Sequence, residues 1–364
     1  MNIAVCFYLL IEFNVYSEKI VFGTYRTLLA FMVVALHLGG IKLIGIYAVF
    51  GFYILSGYLM TLIMHKSYGY SINGIIKFTF NRFLRIYPLY WLSCLISLLL
   101  ILWVGKNYAF NYHEALCLPQ NITSAIKNIF ILLSTQETPR LTPPAWALTV
   151  EIFYYMVIAL GLSKNKTLTI GWFLFSVLYH LLINFKGLGL NYQYFIIPAA
   201  SLPFAIGGLT YFYQNKLISI LESLKYFEYF ISPITLMILF IFNWLLGLNF
   251  EIFGNFSFYT NCLIHALIII SLLNIDSLPY ISKKTDKWIG SFSYPVYLIH
   301  YQIGLFILVI FDNLGIGYQR PSIALMFASI LPILIVSWLL NTYIKNPIET
   351  IRRQVKANQK LGQA

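Results

Sequence analysis

Residues 25–40 read YRTLLAFMVVALHLGG, an apolar run interrupted only by Arg26 and His37. Its apolar character and lack of other charged side chains point to a helix spanning a membrane. An ionisable group inside such a span costs about 2.5–3.5 kcal/mol on insertion scales, so its presence needs a reason. The two groups are eleven residues apart. At 100° per residue that spacing returns to within about 20° of the same face, about 16 Å further along the axis. One stripe of the helix therefore carries a guanidinium at one end and an imidazole at the other.

The rest of the 364-residue chain has the same character, with 60% hydrophobic and 10% charged residues and a mean hydropathy of +0.77. Soluble domains carry about 25% charged residues, so the expected fold class is all-α, a polytopic membrane protein. Apolar runs place about ten transmembrane helices at 20–38, 41–64, 86–105, 144–162, 168–183, 193–213, 227–247, 255–273, 290–311 and 322–344. With the first run entering from the cytoplasm, seventeen Lys and Arg residues fall in inner segments and six in outer ones. This bias orients the chain with both termini cytoplasmic. The net charge of +12 is then a topological signal, and nucleic acid is not expected as a partner. The four cysteines form no CxxC or other metal-ligand spacing, so no metal is expected.

Three segments divide the chain: an apolar N-terminal extension at 1–19, a membrane domain at 20–347 and a basic cytoplasmic tail at 348–364. The longest outer connection, 106–143, contains Ile122, Ile126, Ile129 and Phe130 at helical spacing, which predicts an amphipathic helix at the interface.

Few residues can carry chemistry. Glu151 lies about seven residues into its run, which enters from the outer side and puts the carboxylate in the outer half beside His37. A carboxylate that orients a neutral imidazole makes a general base, and a His37–Glu151 pair is expected on that ground. Arg82 and Arg85, three apart on one helical face before the third run, suit phosphate recognition by their planar forks. Positive-inside bias also accounts for them. Arginines at an inner mouth and a His/Glu pair deeper in fit the shape of an acyl-coenzyme A, a polyphosphate head on a thin arm ending in a thioester. A glycan transporter or polymerase is the competing class, since such proteins also place arginine in the membrane.

Five stretches resemble acyltransferase family 3, whose membrane proteins acylate bacterial surface polysaccharides. They are GTYRTLLAFMVVALH (23–37), VFGFYILSGYLM (49–60), NRFLRIYPLYWL (81–92), PAWALTVEIFYY (144–155) and SYPVYLIHY (293–301). The resemblance implies a multi-pass protein of the bacterial cytoplasmic (inner) membrane that moves an acyl group, commonly acetyl from acetyl-CoA, to a sugar hydroxyl. The acceptor would be a surface glycan or its undecaprenyl-linked precursor, with membrane lipids as neighbours. By match, His37 and Glu151 take the catalytic positions and Arg26, Arg82 and Arg85 the cofactor-binding ones. His300, Ser56, Trp146 and Tyr297 are possible substrate or supporting positions. One departure stands near the end: Lys345, in YIKNPIE (343–349), replaces a residue that is often acidic in the family.

Overall fold

A computed structural model describes residues 21–133, 139–223, 232–249, 251–317 and 320–352. The extension at 1–19, the tail from 353 and the start of the expected span at 227–247 lie outside the described residues. Among the described residues there is no β-strand; the regular structure is helical. The helices are α1 Gly23–His37, α2 Ile44–Ile63, α3 Ile72–Val104, α4 Lys106–Tyr112, α5 Ile122–Phe130, α6 Trp146–Ala159, α7 Lys166–Phe185, α8 Ser201–Ser223, α9 Pro233–Asn249, α10 Glu251–Leu273, α11 Lys283–Ser291, α12 Ser293–Asn313 and α13 Ile323–Leu340.

Among the described residues, six helical stretches are long and apolar enough to cross a membrane: Ile44–Tyr68, Ile72–Val104, Lys166–Phe185, Phe256–Leu273, Lys283–Asn313 and Ile323–Arg352. Of the other four expected runs, 144–162 and 227–247 overlap shorter apolar helices at Pro143–Ala159 and Pro233–Asn249, 20–38 overlaps α1, and 193–213 overlaps α8 only in part. The chain is therefore a multi-pass membrane protein. The connection expected at 65–85 is largely helix, because α3 begins at Ile72 and runs unbroken through Pro88.

Helix α2 is the centre of the bundle, packed against α1, α6, α8 and α10. Small residues let its backbone approach α8. A Cβ on Gly57 would lie 2.2 Å from the Phe204 carbonyl oxygen, and one on Gly207 would lie 2.1 Å from that of Ile54. In lipid, where apolar burial drives helix association weakly, such close van der Waals seams hold helices together.

The outer connection folds back along α3. Helix α5 forms where the Ile spacing predicts it, capped at Asn121, but its last carbonyls face the middle of α3. The Tyr90 hydroxyl donates to Asn128 O (2.7 Å), Trp91 Nε1 to Ile129 O (2.9 Å) and the Tyr87 hydroxyl to Phe130 O (3.0 Å). Those donors sit 13–17 residues before the end of α3 at Val104, roughly 20 Å down its axis. The aromatic side chains thus satisfy carbonyls that the end of a helix leaves without intrahelical partners. Returning, the chain bonds Thr142 to Ser93 (2.9 Å) and starts α6 inside the bundle. The amphipathic helix thus packs against the middle of α3, and the chain from Pro139 leads back into the bundle toward α6.

Gly57→Ala should lower the melting temperature in detergent, since overpacking against immovable backbone costs about 1–3 kcal/mol. Gly171→Ala, where a Cβ meets nothing within 4 Å, is the control and should leave it unchanged or higher.

Candidate functional site

Helix α1 has no cap from its own sequence. Its first two amides instead donate to the Asp286 carboxylate of α11, Gly23 N at 2.8 Å and Thr24 N at 2.7 Å. An anion is favoured at a helix N-terminus, and this one also lies within electrostatic range of Arg26. Gly23 is required there, because a Cβ would meet the Asp286 backbone at 1.8 Å.

From this anchor α1 runs between two recesses. The first, at the Arg26 end, is a cavity of about 90 Å³ bordered by Arg26, Arg85, Ser56, Glu151, Tyr155 and Tyr297. Glu151 accepts from the Ser56 hydroxyl at 2.9 Å and from the Tyr155 hydroxyl. Around the mouth the cations outnumber the acids. Arg85 lies in electrostatic range of Arg26, Arg82, Lys345 and Arg352, and the carboxylates there are Glu151, Asp286 and Glu349. Arg82 Nη2 and Arg352 Nη2 share the Asn81 side-chain oxygen, each at 3.0 Å. Arg82 is buried, with its guanidinium 5.7 Å from the Phe78 ring centre, and does not border the cavity. Lys345 donates to Ser291 O at 2.6 Å.

The second recess, a groove of about 390 Å³ at the other end of α1, is bordered by His37, Tyr112, His113, Tyr301 and Arg320. His37 Nδ1 is 2.7 Å from the Tyr301 hydroxyl, and its ring stacks on His300, centroids 5.5 Å apart and planes 20° apart. His300 is fully buried, with Nδ1 2.8 Å from Tyr297 O and Nε2 unpartnered. Tyr294, Tyr297 and Tyr301 recur at i, i+3 and i+7 on α12. They share one face, with Tyr294 and Tyr297 lining the cavity and Tyr301 the groove.

The structure does not make the expected His37–Glu151 pair. Glu151 belongs to the cavity and His37 to the groove, and the partner of the imidazole is Tyr301. Depth explains the error. Because the chain is already buried in the bundle where α6 begins, Glu151, the sixth residue of that helix, lies in the Arg26 half. Ser56 and Tyr297 border the cavity, and the Tyr297 hydroxyl ties α12 to Pro144 O at 2.8 Å. Trp146 stands aside, edge-on to Tyr194 and Phe195. Tyr301, Arg320, His113, Asp286 and Arg352 were not singled out from the sequence. Tyr301 closes the quoted stretch SYPVYLIHY, which was the available signal for it; the other four reach the sites from distant segments.

The family model for the acyltransferase domain matches residues 23–342, and the chain belongs to acyltransferase family 3. It is a membrane acyltransferase. No curated protein and no solved structure gives a significant match.

Asp286→Ala should cost about 1 kcal/mol of stability, the usual worth of a helix N-cap. A lower melting temperature, with part of the loss recovered in Asp286→Asn, is the expected reading.

Proposed function

We propose that this chain takes an acyl group, most simply acetyl, from acyl-CoA and esterifies a sugar hydroxyl of a surface polysaccharide or its lipid-linked precursor. The membrane would be the bacterial inner membrane. The observation that carries the proposal is the arrangement of α1, with an excess of cations at one end and an imidazole held by a phenol at the other. The Arg26 end takes the donor's phosphates. Arg26 and Arg85 border the cavity, and Arg82 supports them by holding Asn81 and Arg352 in place. The pantetheine arm lies along the cavity, where Glu151 fixes the Ser56 and Tyr155 hydroxyls in the wall.

His37 is the general base. With Nδ1–H donating to the Tyr301 oxygen, Nε2 carries the lone pair that removes the acceptor's proton. As that oxygen attacks the thioester carbonyl carbon, the C–O bond forms and a tetrahedral intermediate follows. Its collapse breaks the C–S bond and releases the thiolate, which takes up a proton. Tyr301 replaces Glu151 as the group that orients the imidazole.

The test uses purified protein in nanodiscs with acetyl-CoA, beside mass spectrometry of surface glycans from a deletion strain complemented with each variant. His37→Ala should reduce transfer by about 10²–10⁴-fold, the usual worth of general base catalysis. Arg85→Ala should raise the KM for acetyl-CoA about tenfold or more, as expected for a charge-assisted bond of 1.5–3 kcal/mol, and change kcat less. A folded His37→Ala protein with undiminished acylation would sink the mechanism.

A further inference from the structure

The groove at the His37 end is richer in positive charge and donors than a neutral hydroxyl requires. The Arg320 guanidinium carbon lies 3.7 Å from the Tyr112 ring centre and 5.3 Å from that of Tyr301. Aromatic faces hold the fork in place without neutralising it. Its Nε is buried with no partner. Among the described residues no carboxylate forms an ion pair with Arg320. Asp312 accepts from the Tyr108 hydroxyl, and Glu114 lies in range of Arg140, a second cation that acts on both His113 and Tyr301.

The neutral groups point the same way. His113 Nδ1 accepts from Ala115 N at 3.1 Å, which leaves the ring proton on Nε2. Burial, with the Arg320 and Arg140 charges, pushes its pKa down to about 3, so at neutral pH it acts as a donor rather than a cation. The Tyr112 hydroxyl is buried and has no partner. A guanidinium held this way, without a counter-charge, suits the bidentate capture of an oxyanion.

We infer that the acceptor is anionic: an oxyanion near the acylated hydroxyl docks on Arg320, with Tyr112 and His113 as donors, and so presents that hydroxyl to His37. The inference rests on the acyl-transfer reading and adds the acceptor's chemical class. A sugar acid would supply a carboxylate, and a lipid-linked glycan would supply a pyrophosphate.

Binding to the nanodisc protein without acetyl-CoA separates these cases. The probes are methyl α-D-glucuronide against methyl α-D-glucoside, and geranyl pyrophosphate against geraniol, each read by calorimetry and by the shift in melting temperature. The wild type should bind at least one anionic probe tenfold or more tightly than its neutral twin. That preference should vanish in Arg320→Gln and survive in part in Arg320→Lys. Preference for the glucuronide assigns the oxyanion to a sugar acid, and preference for the pyrophosphate assigns it to the lipid carrier. Equal binding of charged and neutral probes, or binding of neither, overturns the inference, as does displacement of the anionic probe by coenzyme A. The wild-type comparison decides even if the variants do not fold. A separate acetyl-CoA titration of the same protein tests the donor site, so failure of the acyl-transfer reading shows as loss of that binding while the groove's preference stands.

Discussion

The carboxylate of Asp286, set against the first two amides of α1, is the constraint on which the site depends. A 15-residue helix without its own cap would leave orphan N–H groups in a medium that offers no water to satisfy them. The cap comes from a residue more than 260 positions away in sequence. It fixes where α1 starts and therefore where both ends of its polar stripe come to rest. The same carboxylate also offsets part of the Arg26 charge, so the guanidinium can sit at the cavity beside Arg85 without being fully neutralised.

Two recesses on one helix imply a division of labour. The Arg26 end gathers cations from α1, α3 and the segment after α13, and the carboxylate within it, Glu151, is occupied by two hydroxyls. The His37 end gathers imidazoles and phenols from α1, α12 and the end of α4, with the Arg320 guanidinium beside them. Helix α12 carries Tyr294, Tyr297 and Tyr301 on one face. Its Tyr297 borders the first recess and its Tyr301 the second, so one helix face reads both.

Much of this was legible in the sequence because helical periodicity is local. The Arg26–His37 stripe, the apolar runs and the helix at Ile122–Phe130 follow from spacing alone, and the ordered motifs led to the family. What spacing could not give was depth. The segment between α4 and α6 looks like an ordinary outer loop, and only the bonds from Tyr87, Tyr90 and Trp91 to the end of α5 show that it descends. Counting from an assumed membrane surface therefore put Glu151 in the wrong half and beside the wrong imidazole. Long-range partners were invisible for a related reason: nothing near Asp286, Arg320 or Arg352 in the chain marks them as neighbours of α1 or the cavity.

The glycine seam between α2 and α8 limits how this molecule can move. With Gly57 against the Phe204 carbonyl and Gly207 against that of Ile54, sliding α2 by one turn would bring Tyr53 or Thr61 into a gap too narrow for any Cβ. The seam has a single register and no neighbouring one to click into. These two helices form a stator, and strain applied at either recess is borne by the elements around them rather than by a shift along this axis.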